Sequence, residues 1–296
     1  MPMNSWANVK PIIRDLTPPL IWRTLSRLRS LQAGIGKKYI EWEYVPEGWE
    51  ALKTDPNIKG WNVGSVLEAY KANWQTFLKS LEGTLPFGIS PESGSENRTN
   101  LMFHNLMMTY AYVLSLSTRN KSSISMLDWG GGIGHYYLLS QKLVPDLEID
   151  YHCKDVPILA EYGHSLFPQA HFYTDETCLE RKYDFVLVST SLQYSEDWAS
   201  TLKGLAQATG GYIFVTRLPI LHHAPSFVIV QRPYEYGYNT EYLGWCLNRN
   251  EFLKLAENLG LKLVREFIAQ ESPPVTLAPE QPEYWGFLFS SSSTDG

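Results

Sequence analysis

The fold is decided by residues 125–134, which read SMLDWGGGIG. An apolar run ends in Asp128 and Trp129 and passes into a turn with glycine at positions 130, 131, 132 and 134, after which a helical pattern begins. Glycine lets the backbone come close to a ligand at such a turn, and the amide groups that open the helix face that ligand. The stretch therefore predicts a small-molecule site between a strand and a helix of an α/β protein.

The order of the glycines distinguishes between two classes of cofactor. A dinucleotide-binding turn has the pattern Gly-x-Gly-x-x-Gly. If this pattern starts at Gly130, its third glycine would be at position 135, where this chain has His135. Asp128 would repel a pyrophosphate, whereas it suits the cationic amino group of S-adenosylmethionine. We therefore expect Asp128, Gly130, Gly132 and Gly134 to bind S-adenosylmethionine, with S-adenosylhomocysteine as the product. A glycine-rich turn without a ligand is the alternative.

The sequence after residue 125 alternates short apolar runs with helical patterns, which is typical of a parallel sheet with crossover helices. A Rossmann-like α/β fold with seven strands is therefore expected, preceded by a helical N-terminal region, residues 1–120. The predicted N-terminal helices are 20–31, 66–81 and 99–117. The predicted strands are 125–129, 147–154, 171–173, 183–189, 211–216, 261–268 and 284–289, and the predicted helices between them are 135–144, 158–166, 198–209 and 248–259.

Carboxylates are expected at the ends of the next strands. Asp155 follows Gly134 by 21 residues, where an acidic side chain can accept hydrogen bonds from ribose hydroxyls, and Asp150 is the alternative if the strand ends earlier. Asp175 follows the third strand, where it either accepts from the adenine amine or is simply solvated. Ser189 ends the fourth strand and is expected to face the cofactor, because strand ends line the ligand crevice of such sheets.

Four motifs in order, LDWGGGIGHYY, YDFVLVSTSLQYSEDW, FVIVQRP and GWCLNRNEF, carry a resemblance to known proteins. Residues 99–290 resemble class I S-adenosylmethionine-dependent methyltransferases. More narrowly, the motifs resemble a bacterial methyltransferase family associated with surface-polysaccharide or glycan biosynthesis. The resemblance implies a seven-stranded methyltransferase sheet and donor contacts at Asp128, Gly130, Gly132 and Asp155, although relatives carry Glu where this chain has Asp155.

The methyl acceptor is expected on two later segments. Gln193 and Tyr194 follow the fourth strand, where they either position a substrate or cap the next helix. Residues 217–248 form a substrate-side insertion that includes Arg217 and Tyr238, and aromatic faces beside arginines suit a sugar or a phosphorylated sugar. We therefore expect O-methylation of a sugar or glycan-type acceptor. The alternative is that the tyrosines of this insertion only form a helical lid on the core.

The candidate bases are His222 and His223, which follow the fifth strand and have a suitable pKa for proton transfer, although a lone histidine is more often structural. Methyl transfer from a sulfonium depends mainly on alignment, so a base is needed only if the nucleophile must lose a proton. The histidines are scattered, without His-x-x-x-His or paired-Asp spacing, so the sequence predicts no metal site and metal-independent catalysis.

Composition limits the classes of protein further. The 296 residues are 44% hydrophobic, 19% charged and 14% aromatic, as expected of a globular enzyme, and the net charge is −6. Residues 1–38 are a basic arm of net charge +6, which suits an anionic membrane surface or a partner, or else a solvated helix. No nucleic-acid-binding face, secretion signal or cysteine framework is indicated, so we expect a cytoplasmic protein, with peripheral membrane contact through the basic arm as the alternative.

Two other functions remain open at this point. A methyltransferase fold without activity would act as a scaffold in a glycan-assembly complex, with its basic arm as the contact. A nicotinamide-dependent oxidoreductase would need the missing turn glycine and a pair of residues that positions the hydride. The retained glycine turn and Asp155 favour the active enzyme over both.

Overall fold

A computed structural model describes residues 40–84, 86–87, 90–91, 101–271 and 274–291. Glu41–Gly296 form one compact unit, so the domain boundary predicted near residue 120 falls inside it. The predicted basic arm 1–38, the predicted helix 20–31 and the first two residues of the predicted helix 99–117 lie outside the described residues. Across the described ranges, no helix is both long and apolar enough to cross a membrane. The three cysteines are buried free thiols.

The described residues form ten strands, whose bounds are β1 Trp42–Val45, β2 Ser123–Trp129, β3 Glu148–Lys154, β4 His171–Tyr173, β5 Tyr183–Ser189, β6 Thr209–Leu221, β7 Phe227–Gln231, β8 Tyr242–Asn248, β9 Leu261–Glu271 and β10 Glu283–Ser291. The six α-helices of the same ranges are α1 Gly64–Ser80, α2 Leu101–Ser117, α3 His135–Leu143, α4 Pro157–Leu166, α5 Trp198–Ala208 and α6 Arg249–Asn258. All predicted strands and helices within the described ranges are present.

Seven of the strands form the central sheet in the spatial order β4-β3-β2-β5-β6-β10-β9. Neighbours from β4 to β6 are parallel, whereas β10 runs antiparallel to both β6 and β9. The strand order reverses between β2 and β5, which is where open α/β sheets form their ligand crevice. The predicted Rossmann-like, seven-stranded sheet is therefore confirmed.

Helices cover both faces of this sheet, so successive side chains of one strand enter different cores. Met126 belongs to the core that contains α1 to α4, and its neighbour Leu127 belongs to the core that contains α5 and α6. In β5, residues 185–188 are 0% exposed, because a strand that is covered on both faces has no solvent side. This double burial explains why β5 has a continuous apolar sequence without alternation.

The long strand β6 bends and serves two sheets. Its first part pairs with β5 up to Thr216, and its last residues, Ile220 and Leu221, pair with β8. The bend lies at Arg217, whose φ of 53° is in the left-handed region, and the register with β10 shifts between Trp285 and Phe287. Such a bulge turns the strand away from its neighbour.

The second sheet consists of β1, β7 and β8 in antiparallel pairs. Residues 217–248 contain the strands β7 and β8, so the alternative of a helical lid is not what this segment forms. The N-terminal region, expected to be mainly helical, also contributes the strand β1, which pairs with β7. The β7 residues are all buried, so the sequence lacks the polar alternation that marks a half-exposed strand.

The N-terminal cap of α6 includes a serine from outside the helix, Ser226. The Asn248 side chain accepts from the backbone N–H groups of Asn250 and Glu251 at 3.0 and 3.2 Å, as expected of an N-cap. In an ordinary capping box, Glu251 would accept the Asn248 N–H directly. Here the Asn248 N–H donates to the Ser226 hydroxyl at 2.8 Å, which in turn donates to Glu251 at 2.5 Å. The cap therefore ties α6 to the turn before β7.

We expect Ser226→Ala to lower the free energy of unfolding by about 1 kcal/mol, because it removes two linked hydrogen bonds at a helix start. The melting temperature should fall by roughly 2–4 °C. The control is Ser165→Ala, which removes an exposed hydroxyl whose bond to Tyr162 stays within one helix. Calorimetry of both variants checks the prediction, and equal melting temperatures would contradict it.

Candidate functional site

The glycine turn joins β2 to α3 in a conformation that needs glycine. Gly130, Gly132 and Gly134 have φ values of 74°, 61° and 87°, all in the left-handed region. A Cβ on Gly130 would lie 2.3 Å from the Ser191 side chain, and one on Gly132 would lie 2.8 Å from the Tyr70 hydroxyl. Conformation and space therefore both exclude side chains here, and α1 and the segment after β5 close on the turn.

Asp128 lies beneath this turn. Its side chain is buried, and the Tyr151 hydroxyl donates a hydrogen bond of 2.5 Å to its Oδ2. A Cβ on Gly131 would lie 2.4 Å from the same carboxylate. Burial and then the charge of Asp128 hold the pKa of Tyr151 well above its usual value, so the phenol stays protonated and keeps donating. The contact of Asp128 with the amino group of the cofactor stays a prediction, and Tyr151 as its partner was missed.

Asp155 connects the end of β3 to the glycine turn. Its Oδ2 accepts from the Gly132 N–H at 2.7 Å, and its Oδ1 accepts from the Val156 N–H at 2.6 Å. A carboxylate is an acceptor of several hydrogen bonds, which suits it to ribose hydroxyls as well as to backbone N–H groups. Asp155 lines the cavity described below, whereas the competing Asp150 bonds His152 and Arg181 outside it. The geometry thus favours Asp155 for the ribose role.

One cavity opens at the carboxyl ends of β2, β3 and β5. Four predicted residues line it, namely Gly130, Asp155, Ser189 and Tyr194. Trp61 and Tyr70 from the N-terminal region, together with Glu176, also line it and were missed. Trp61 and Tyr70 belong to the region that was predicted only as helical, so no local motif marked them as binding residues.

Asp175 has a structural role at the edge of the site. It caps the 3₁₀ turn Glu176–Glu180, and its Oδ1 accepts from the Thr177 backbone at 3.0 Å and hydroxyl at 2.5 Å. The neighbouring Glu176 is the acidic residue of this turn that lines the cavity. The adenine contact predicted for Asp175 stays a prediction, and Glu176 is the better-placed carboxylate.

Several buried polar atoms beyond the end of β5 and in the adjoining part of β6 have no hydrogen-bond partner among the described residues. Gln193 is 2% exposed, and neither of its amide atoms has a hydrogen-bond partner among the described residues. The Thr190 and Thr216 hydroxyls are in the same state within those ranges. Thr190 lines the cavity and its N–H donates to the Thr216 carbonyl at 3.0 Å, so these two residues are adjacent. Buried polar groups nearly always have a partner, so such a group of atoms indicates a ligand or water.

A cluster of aromatic rings includes Trp61 and Tyr194, which line the cavity. Trp61 stacks on Tyr242 with ring centroids 4.4 Å apart, and the edges of Tyr194 and Tyr238 meet it at 5.1 and 6.0 Å. The Tyr194 hydroxyl donates to Gln231 at 3.0 Å, which joins the cavity wall to the second sheet. The predicted substrate residues Tyr194 and Tyr238 therefore lie in one cluster around Trp61.

Arg217 lies at the bend of β6, between Phe103 and Tyr284. Its guanidinium carbon is 5.8 Å from the centre of the Phe103 ring and 5.9 Å from that of Tyr284. Both distances are within the range of cation–π attraction. Arg217 does not line the cavity, so its role in substrate binding stays a prediction.

His222 and His223 follow β6 and do not line the cavity. Their backbone N–H groups donate to Glu280 at 2.8 and 2.9 Å, and the His222 ring meets the edge of Trp285. The structure thus gives both residues a role in fixing the loop before β10. Their predicted role as bases stays a prediction that the cavity geometry does not support.

No protein-family model matches this chain, and no curated protein matches it. Solved structures with a similar fold include magnesium protoporphyrin IX methyltransferase from Synechocystis PCC 6803 with bound S-adenosylmethionine, at 12% identity and a TM-score of 0.44, covering 79% of this chain and 100% of the other. Another is an O-methyltransferase family 2 protein from Planctomyces limnophilus in complex with apigenin, at 15% identity and a TM-score of 0.46, covering 82% and 64%. Likenesses this low assign no activity or substrate to the chain.

Proposed function

We propose that this chain is an S-adenosylmethionine-dependent methyltransferase. The observation that carries the proposal is that Gly130 of the glycine turn and Asp155 line one cavity at the point where the strand order reverses. A Cβ on Gly130 or Gly132 would enter space already taken by Ser191 or Tyr70, so the packing of the cavity wall requires glycine at both positions. Residues of this kind fit an adenosyl cofactor whose ribose is held by Asp155.

The cofactor would supply an electrophilic methyl group on a sulfonium, and the protein would align it. Asp155 would orient the ribose, since its bonds to the Gly132 and Val156 N–H groups hold the carboxylate at the wall of the cavity. Asp128 would contribute negative charge beneath the turn, and the Tyr151 bond keeps that carboxylate in place. Because in-line transfer depends on alignment, these positioning contacts account for most of the required chemistry.

For the acceptor, we propose a sugar or glycan-type molecule that is methylated on a hydroxyl oxygen, with S-adenosylhomocysteine as the leaving group and the hydroxyl proton released to water. The support is the combination of the ring cluster around Trp61 with the buried polar atoms of Thr190, Gln193 and Thr216. A sugar has apolar ring faces that stack on aromatic side chains, and its hydroxyls both donate and accept hydrogen bonds. An amide side chain such as that of Gln193 can donate and accept hydrogen bonds at the same time.

The acceptor proposal is tested by measuring S-adenosylhomocysteine release with nucleotide sugars, oligosaccharides, phenols and amines under identical conditions. We expect turnover with a member of the first two classes. Turnover confined to phenols or amines would refute the sugar acceptor and leave the methyltransferase proposal standing. Absence of S-adenosylmethionine binding in calorimetry, by contrast, would refute both proposals.

We expect Gly132→Ala to abolish measurable S-adenosylmethionine binding, because the new Cβ would meet Tyr70 at 2.8 Å in a left-handed backbone. The matched control is Gly64→Ala at the start of α1, where a Cβ meets nothing within 4 Å. Isothermal titration of both variants checks this. Equal affinities in the two variants would contradict the role of the turn.

Asp155→Asn should weaken S-adenosylmethionine binding by about tenfold or more, since it removes the charge from hydrogen bonds worth roughly 1.5–3 kcal/mol. Asp146→Asn, at an exposed carboxylate in the turn before β3, is the control. The same titration applies. An unchanged affinity for Asp155→Asn would assign the ribose to another group, with Glu176 as the next candidate.

Gln193→Met should raise the melting temperature, because it replaces a buried amide without partners by an apolar side chain of similar size. It should also lower methyl transfer to the acceptor at least tenfold while the affinity for S-adenosylmethionine stays the same. Calorimetry and initial rates separate the two effects. A fall in stability with unchanged rates would show that Gln193 serves the fold and not the acceptor.

A further inference from the structure

A cluster of metal-ligating side chains lies outside the cavity, on the two outermost parallel strands. Asp150 and His152 are two residues apart in β3, so they point to the same face of the sheet. His171 in β4 is the register partner of His152, which brings the third side chain beside them. None of the three lines the cavity. The cluster is therefore a product of sheet register and is independent of the proposed cofactor site.

The spacing of the ligand atoms fits a single ion. The Asp150 Oδ1 is 3.0 Å from the His152 Nε2 and 3.6 Å from the His171 Nε2, and one ligand atom of each residue lies within 4.8 Å of the others. Zinc bonds of about 2.0–2.2 Å at tetrahedral angles place neighbouring ligand atoms about 3.3–3.6 Å apart. Only small side-chain movements would bring all three atoms to that separation.

The two protein groups near the His152 Nε2 require opposite protonation states of that nitrogen. A guanidinium nitrogen of Arg181 is 2.9 Å from the His152 Nε2, and because arginine can only donate, this nitrogen must offer a lone pair. The same nitrogen is 3.0 Å from an oxygen of Asp150, and an ionised carboxylate can only accept hydrogen bonds, so this contact requires the nitrogen to carry a proton. No single position of the proton satisfies both contacts. A metal ion would coordinate a lone pair of the His152 Nε2 and a lone pair of the Asp150 carboxylate at once, since all of its ligands donate lone pairs.

We propose that Asp150, His152 and His171 bind one Zn²⁺ ion, or a similar divalent transition metal, with the fourth ligand position open to solvent. Two imidazoles and a carboxylate are a common ligand set for zinc. In this arrangement the His152 Nδ1 carries the proton and donates to the Tyr173 hydroxyl, 3.0 Å away, which fixes the orientation of the ring.

Arg181 competes with the ion for this position. Its other terminal nitrogen donates to Asp150 at 3.0 Å, so the guanidinium already neutralises part of the charge that a cation would use. The guanidinium also lies over the Tyr183 ring at 5.1 Å, a contact that it can keep after leaving the carboxylate. Removal of the Arg181 charge should therefore tighten metal binding, whereas removal of a ligand should weaken it.

The test is a competition titration of the chelator-treated full chain, without a histidine tag, against ZnCl₂ and a chromophoric chelator. We expect one equivalent bound, with affinity at least tenfold lower in His171→Ala and several-fold higher in Arg181→Gln. The control His164→Ala removes an exposed histidine of α4 and should change nothing. Substitution of Co²⁺ should give the absorption of a four-coordinate site.

The two variants keep the proposal falsifiable without relying on activity. His171 and Arg181 are about half exposed, at 56% and 45% of their side chains, so their replacement should leave the fold intact, and melting curves check this. Zinc should also raise the melting temperature of the wild-type protein and not that of His171→Ala. Equal zinc affinity in the wild type and His171→Ala would overturn the site, as would a wild-type dissociation constant weaker than about 100 µM.

Discussion

The close approach of three neighbours to the glycine turn is the constraint on which the rest of the structure depends. Ser191 closes on Gly130, Tyr70 on Gly132 and Phe172 on Gly134, each at a distance that a side chain on the glycine would prevent. These neighbours come from the segment after β5, from α1 and from β4, so the turn is where distant parts of the chain meet. These contacts fix the position of α1 and of the segment after β5 against the turn, and they shape the cavity that Asp155 lines.

The central sheet could be predicted from the sequence because its elements are local and repetitive. Strands such as 183–189 are marked by continuous apolar runs, and the helices between them by their spacing and caps. The same rule predicted residues at the strand ends, since strand ends line the crevice. Asp155 lines the cavity while its ribose contact stays a prediction, and Tyr151, the hydrogen-bond partner of Asp128, could not be read from spacing.

The parts that the sequence did not predict depend on contacts between distant segments. Strand β1 depends on backbone partners from both β7 and Thr276, and the ring of Trp61 packs on Tyr194, Tyr238 and Tyr242. The cluster of Asp150, His152 and His171 has no signature along the chain, because its third member comes from the neighbouring strand through register. Such features can be predicted only once the order and register of the strands are known.

The bend of β6 has a consequence for how this protein can change over time. The sheet of β1, β7 and β8 is attached to the central sheet where the far end of β6 pairs with β8. Substitutions in β7 or β8 can therefore reshape the wall around Tyr242 without moving the glycine turn at the end of β2. On the proposed function, selection could exchange one acceptor for another while the donor half stays fixed, so diversification is expected to concentrate on one side of Arg217.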